Sequence, residues 1–280
     1  MIHKTTVADL HIHSTASDGT MTPAEIIDEL ITKGIGLCSL TDHNSIDNQN
    51  EFISHASENG IICIPGVELN ASIGNQDYHV LAYGFDPSDI HVEEYAAYIL
   101  SKMKEYNRKL ISLMSDDFDN INLSEYDKYS YDRKKGGWET IQFLYEKGMS
   151  DSLLGAMQWY RRYAASLPDI DYPHPSEVCR EIHSWKAMAV LAHPNYYFKE
   201  EPDVIELNRK LDEFREYGID GVECYYPSHS MSTTETSLLW CRNNNMLITA
   251  GCDCHGGFVP GREIGKIRVT LEQLNLGQLI

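Results

Sequence analysis

The sequence predicts an α/β fold, a parallel sheet or barrel with helices on its outside. Two observations carry that reading: short β-branched runs alternate with helical patterns, and 42% of the 280 residues are hydrophobic, enough to bury a sizeable core. Residues 6–13, 37–42, 61–69, 78–85, 188–192, 221–226 and 247–253 read as strands. Pro23–Lys33 reads as a helix, with Thr22 as N-cap, Pro23 in the first turn, Glu25 at N3, and Ile26, Ile27, Leu30 and Ile31 on one apolar face. Gly34 and Gly36 are read as ending it. Residues 47–58 and 203–216 are further helices by pattern. The alternation lapses between about residues 89 and 185, a polar, Tyr-rich and mostly helical stretch whose strongest segment is 92–114. A solvated spacer would not need Trp138, Trp159 and so many apolar helix positions, so the stretch reads as an insertion on the barrel loops. The expected organisation is therefore 1–88, a helical insertion or cap at 89–185, and 186–280.

Composition narrows the function. Lys and Arg total 23 against 42 Asp and Glu, a formal charge of −19. That charge opposes non-specific attraction to long nucleic acid or an anionic membrane. No apolar stretch approaches the roughly 20 residues needed to cross a bilayer, and the first residues lack the apolar core of a signal peptide. Seven cysteines without a CxxC weaken the disulfide and zinc-ribbon readings. The expectation is an acidic protein of the reducing cytoplasm, with its oligomeric state left open.

The chemistry lies at the ends of the strands. The first ends Asp9-Leu10-His11-Ile12-His13, with Asp18 on the adjoining loop. Residues i and i+2 of a strand point to one side, so His11 and His13 can converge on one ion. Later strands contribute Thr41-Asp42-His43, Gly66-Val67-Glu68, Asp77-Tyr78-His79, Ala192-His193-Pro194 and Asp253-Cys254-His255. Taken singly, each motif also describes exposed or satisfied core histidines. The conjunction argues for metal, because core packing gives no reason for charged groups to gather at strand ends, and burying them unpaired is costly. Imidazole and carboxylate donors suit Zn, Mn or Fe, and nine candidates suggest two or three divalent ions. In barrels, active sites form at the C-terminal ends of the strands.

The ordered set DLHIHSTASDG, LTDHN, GVE, YHVLAYG, LAHP and GCDCHG resembles the PHP (polymerase and histidinol phosphatase) superfamily of metal-dependent phosphoesterases, over about residues 5–87 and 186–270. The resemblance implies a distorted (β/α)7 barrel holding a trinuclear centre. By motif it assigns His11, His13, Glu68 and Asp253 to the first ion, Glu68 with His79 and His193 to the second, and Asp18, His43 and His255 to the third. Asp9 and Asp42 are candidates for orienting imidazoles from behind. The implied reaction is attack on phosphorus by a hydroxide bridging two ions, with Asp253 in the catalytic group. His229, which follows the sixth strand and so should share its face, is either a substrate ligand or general acid, or an exposed loop histidine.

Basic residues of the insertion are candidates for anionic parts of the substrate. Arg133 and Lys134, with Lys135-Gly136-Gly137, form a basic lead into a helix that could cradle phosphate. Lys104 and Arg108, four apart, would share a helix face, and Arg262 follows Asp253 closely enough to reach the site mouth. Trp159, Tyr160 and Tyr163 are either core or a stacking surface. The leading expectation is hydrolysis of a small phosphorylated substrate: a nucleotide mono- or bisphosphate, histidinol phosphate or a cyclic sugar phosphate. A nuclease on short oligonucleotides, an amidohydrolase or deaminase, and a metal-dependent binding protein are the competing classes.

Overall fold

The computed structural model describes residues 3–280; Met1 and Ile2, where the reading of the N-terminus begins, lie outside them. Its strands are β1 (Val7–Asp9), β2 (Ile35–Cys38), β3 (Ile62–Cys63), β4 (Gly66–Ile73), β5 (Gln76–Tyr83), β6 (Met188–Leu191), β7 (Gly221–Tyr225), β8 (Leu247–Ala250) and β9 (Val269–Thr270). Its helices are α1 (Pro23–Lys33), α2 (Gln49–Glu58), α3 (Ile90–Asp117), α4 (Leu123–Tyr126), α5 (Glu139–Glu146), α6 (Gln158–Arg162), α7 (Pro175–Ser184), α8 (Val204–Tyr217) and α9 (Met231–Asn244). Among the described residues, no helix is long and apolar enough to cross a membrane.

Helix α1 shows how local chemistry sets these boundaries. The Thr22 hydroxyl accepts from the Glu25 N–H, and the Glu25 carboxylate accepts from the Thr22 N–H at 2.7 Å, a reciprocal cap. Gly34 ends the helix at φ 67°, which a glycine adopts without a Cβ clash. Gly36 does not act there; it lies inside β2, where a Cβ would meet the Thr6 methyl at 2.8 Å. Ile26, Ile27 and Leu30 are buried, whereas Ile31 is 50% exposed at the edge of the stripe. Thr22→Ala is expected to cost about 1 kcal/mol of stability, read from the urea midpoint.

The sheets are mixed, not wholly parallel. One runs β3-β2-β1-β9, with β9 antiparallel to β1; the other runs β4-β5-β6-β7-β8. In the second, β5 is antiparallel to both β4 and β6. The cause is the connection: β4 and β5 are joined by two residues, Gly74 (φ 57°) and Asn75, too few for a parallel crossover. The predicted strand at 61–69 is broken at Ile64-Pro65. Its first part pairs with β2 and its second with β5. Isolated bridges at Ile12–Cys254 and His43–Glu68 link the continuations of the two sheets, and a third, Ile248–Asn275, ties β8 to the C-terminal segment.

Four apolar clusters hold the layers. Ile26, Leu30, Phe52 and Ala56 of α1 and α2 cover the first sheet, and Val178, Leu211, Phe214 and Trp240 of α7–α9 cover the second. Leu10, Leu37, Leu81, Tyr83 and Val190 meet between the sheets. Helix α3, about 42 Å long at 1.5 Å per residue, serves two clusters. Val92, Ala96 and Ile99 join the second sheet, while Leu110, Ile111 and Met114 pack with Tyr126, Phe143, Trp159 and Phe258 in a separate core.

Candidate metal centre

Glu68, fully buried in β4, is the hub of the site. Its Oε2 lies 3.0 Å from His11 Nε2, 3.1 Å from His13 Nε2 and 3.3 Å from His43 Nδ1. Its Oε1 lies 2.8 Å from His79 Nδ1 and 3.1 Å from His193 Nε2. Asp253 Oδ1 is 3.0 Å from His13 Nε2, 3.4 Å from His11 Nε2 and 3.4 Å from His255 Nδ1. Asp18 Oδ2 is 3.2 Å from His255 Nε2. His79 reaches the cluster from the first half of its strand because β5 runs against its neighbours, so its beginning lies beside their ends.

Ligand-capable atoms gather in three groups, each within 4.8 Å: His11, His13, Glu68 and Asp253; His43, Glu68 and His79; and His13, Asp18, His43 and His255. His13 and His43 each belong to two groups, a sharing the motifs did not indicate. Burial disfavours charge throughout, yet His43, His11 and His79 hold the Glu68 carboxyl well below its ordinary range, and His11 and His255 do the same for Asp253. Against the same burial, Asp253 and Glu68 push His13 up to about 9, while Glu68 raises His11 and His79. Burial prevails at His43, pushed down to about 3.

The residues fit divalent ions. His13 Nε2, His43 Nδ1 and Asp253 Oδ1 are buried without a well-aligned hydrogen bond, an arrangement that demands partners. The donors are imidazole nitrogens and carboxylate oxygens, with no thiol in any of the three groups. His193 and Asp253 also hold φ of 27° and 51°, strained for residues with a Cβ and sustained by the packing around them.

The support around the ligands differs from the sequence expectation. Asp9 accepts from the Cys252 and Gly265 N–H groups and holds backbone, not an imidazole. Asp42 accepts from the Ser14 N–H and from the Ser14 and Ser17 hydroxyls at 2.6–2.7 Å, and so shapes the loop that carries Asp18. The residue that orients His11 is Glu223 of β7, fully buried, which accepts from His11 Nδ1 at 3.0 Å and from the His193 N–H at 2.9 Å. Its one sequence signal is an acid inside the apolar run Gly221-Val222-Glu223-Cys224. Gly251 leaves room for both groups: a Cβ there would lie 2.1 Å from His11 Cβ and 2.6 Å from Glu223 Oε1. Gly251→Ala is expected to strip the site of metal, measured as ions per chain after dialysis.

Beside the cluster lies a cavity of about 480 Å3, lined by Asp18, His43 and His79 on one side and by residues between Leu100 and Tyr172 on the other. Lys104, Arg133 and Tyr160 line it. Arg108 does not; it makes a bidentate pair with Asp127 at 2.7 and 2.9 Å. Lys134 turns to Glu25, 3.7 Å away at the surface. Gly136 and Gly137 offer no phosphate cradle, since their N–H groups donate to Arg133 O and Asp18 O. Arg133 itself donates to the Thr15 and Ala16 carbonyls. Trp159 is core, and Tyr163 bonds Asp117. Arg262 donates to Asp253 and lies over the rings of Tyr196 and Tyr226 at 5.3 and 5.6 Å. His229 accepts no cavity position: its Nδ1 donates to Cys224 O at 3.0 Å and its ring lies 5.3 Å from Tyr226.

A sequence model of the PHP domain matches residues 9–210. The 3′,5′-nucleoside bisphosphate phosphatase of Chromobacterium violaceum is 25% identical over 274 residues, covering 92% of this chain and 90% of that one. The 5′-3′ exoribonuclease of Haemophilus influenzae is 24% identical over 254 residues, covering 88% and 89%. A solved structure from Bifidobacterium adolescentis, described provisionally as a metal-dependent phosphoesterase, matches with a TM-score of 0.76 at 21% identity, over 94% of this chain and 92% of that one. With its donor cluster in place and the family model spanning most of its length, the chain belongs to the PHP domain family.

Proposed function

We propose that this metal-dependent phosphoesterase hydrolyses a nucleoside mono- or bisphosphate, and that the nine clustered residues hold two or three divalent ions (Mn, Zn or Fe). The observation that carries the reading is the convergence of five imidazoles on Glu68, beside a cavity that presents Lys104 and Arg133. We read the two sheets as one distorted barrel of β1, β2, β4, β5, β6, β7 and β8; the Ile12–Cys254 and His43–Glu68 bridges support that reading.

Ions held by these residues would neutralise phosphate oxygens and lower the pKa of water from about 15.7 toward 7. The chain supplies placement. His11, His13, Glu68 and Asp253 form one donor set; Glu68 with His43, His79 and His193 a second; Asp18, His43 and His255, with His13, a third. Glu223 accepts a hydrogen bond from His11 Nδ1–H, which favours the tautomer whose Nε2 lone pair is free to face an ion. Arg262 and the Tyr226 hydroxyl hold Asp253 Oδ2, which aims Oδ1 at the imidazoles. The Lys104 ammonium and the Arg133 guanidinium offer positive charge to a phosphate outside the metal cluster.

A nuclease on short oligonucleotides is the second reading, favoured by the exoribonuclease relative and by a cavity of a size for one terminal nucleotide. The test uses the Mn-loaded protein and follows phosphate release from nucleoside 5′-monophosphates, 3′,5′-bisphosphates and histidinol phosphate, ring opening of a cyclic sugar phosphate, and release of mononucleotides from 5′-phosphorylated oligonucleotides. Turnover of a nucleoside bisphosphate that vanishes in His11→Ala supports the proposal. Cleavage confined to oligonucleotides selects the second reading, and silence across the panel with two or three ions bound rejects both.

A further inference from the structure

The face of α3 turned to the cavity carries Leu100, Met103, Lys104 and Asn107, the spacing of one helical stripe. Asn107 is an unusual member, a polar side chain only 5% exposed among apolar neighbours. Its amide orientation is fixed by a relay. Trp138 Nε1–H donates to the Tyr160 hydroxyl oxygen at 2.9 Å. An indole nitrogen can only donate, so the Tyr160 oxygen is the acceptor and its own hydrogen must go elsewhere. It goes to Asn107 Oδ1, 2.7 Å away. With the oxygen committed, the Nδ2 group carries two donors, and no protein partner falls to it among the described residues. A buried amide with unspent donors beside a cavity is a binding group awaiting an acceptor.

The rest of the lining gives the chemical class. Tyr106, Tyr131, Trp138, Tyr160 and Tyr172 surround the space with aromatic surface, a lining suited to a flat heteroaromatic ring. We infer that this cavity receives the nucleobase of the substrate, and that Asn107 is a specificity residue whose Nδ2 donates to an acceptor atom on the edge of that base. The inference rests on the nucleotide reading of the site and deepens it: the metal cluster, with Lys104 and Arg133 of the cavity lining, takes phosphate, while Asn107 and the aromatic wall take the base. A site built to hydrogen-bond its ligand discriminates strongly against one that leaves its buried donors unpaired.

The test compares a nucleoside 3′,5′-bisphosphate with the base-free deoxyribose 3,5-bisphosphate, using the metal-loaded protein and two variants. Asn107→Leu removes the donors. Asn107→Asp keeps an oxygen for Tyr160 while replacing the donors with an acceptor, and so serves if the leucine variant folds poorly. Both are expected to raise KM for the base-bearing substrate roughly 10- to 100-fold with kcat changed less than about threefold, and to leave the base-free substrate unaffected. Equal losses on the two substrates, or no loss on either, would overturn the assignment of Asn107 while leaving the nucleotide reading intact. Failure of the unaltered protein to process any nucleotide overturns the reading beneath it, and this inference with it.

Discussion

Glu68→Gln is expected to lower kcat/KM by about three orders of magnitude or more, roughly 4 kcal/mol of transition-state stabilisation, and to reduce the ions retained per chain. The substitution keeps the shape of the side chain and removes its charge. Five imidazoles, from His11, His13, His43, His79 and His193, face the two oxygens of Glu68 within 3.3 Å. An amide would turn one nitrogen, with its hydrogens, toward donors that need an acceptor. It would also remove the one carboxylate common to two of the three donor groups. Metal analysis beside the assay separates causes: lost activity with a full complement of ions would assign Glu68 to the chemistry instead of to metal retention. Activity within tenfold of the unaltered protein would show that the cluster does not depend on its centre.

Glu223→Ala should weaken metal binding 10- to 100-fold, the usual effect of removing the partner that orients a ligating histidine. Glu223 touches two ligands at once, the His11 ring through Nδ1 and the His193 backbone through its N–H. Without it, His11 could adopt the other tautomer, and the strained φ of His193 would lose a restraint. Chelator competition measures the affinity directly. Glu223→Gln, which can still accept from His11, is expected to recover part of the loss. If Ala and Gln behave alike and both match the unaltered protein, the orientation of His11 is set by packing alone.

Eight of the nine candidate ligands fall into the three donor groups, and His193 faces Glu68 beside them; they stood out in the sequence because charged groups near predicted strand ends have few other reasons to be there. Glu223 did not, since an acid within an apolar strand carries no mark of the histidine it faces. Asp9 illustrates the same limit in reverse. It has the right spacing from His11, yet β1 ends at Asp9 and its carboxylate is claimed by the N–H groups of Cys252 and Gly265, more than two hundred residues away. Strand direction was equally hidden. Periodicity identifies a strand but not its sense, and only the two-residue turn at Gly74-Asn75 forces β5 to run backwards. On α3, the pairing of Lys104 with Arg108 followed correct helical spacing, but Asp127 captures Arg108 and the cavity stripe continues through Asn107.

Residues 133–137 are fastened to the loop that carries Asp18. Gly137 donates to Asp18 O, and Arg133 donates to the carbonyls of Thr15 and Ala16. Residues 133–137 and the Asp18 loop are thus mechanically one piece: trimming away the segment that carries Arg133 and Gly137 would remove the ties that hold one carboxylate of the cluster. Grafts meant to change what this scaffold cuts should therefore move the Asp18 loop and that segment together.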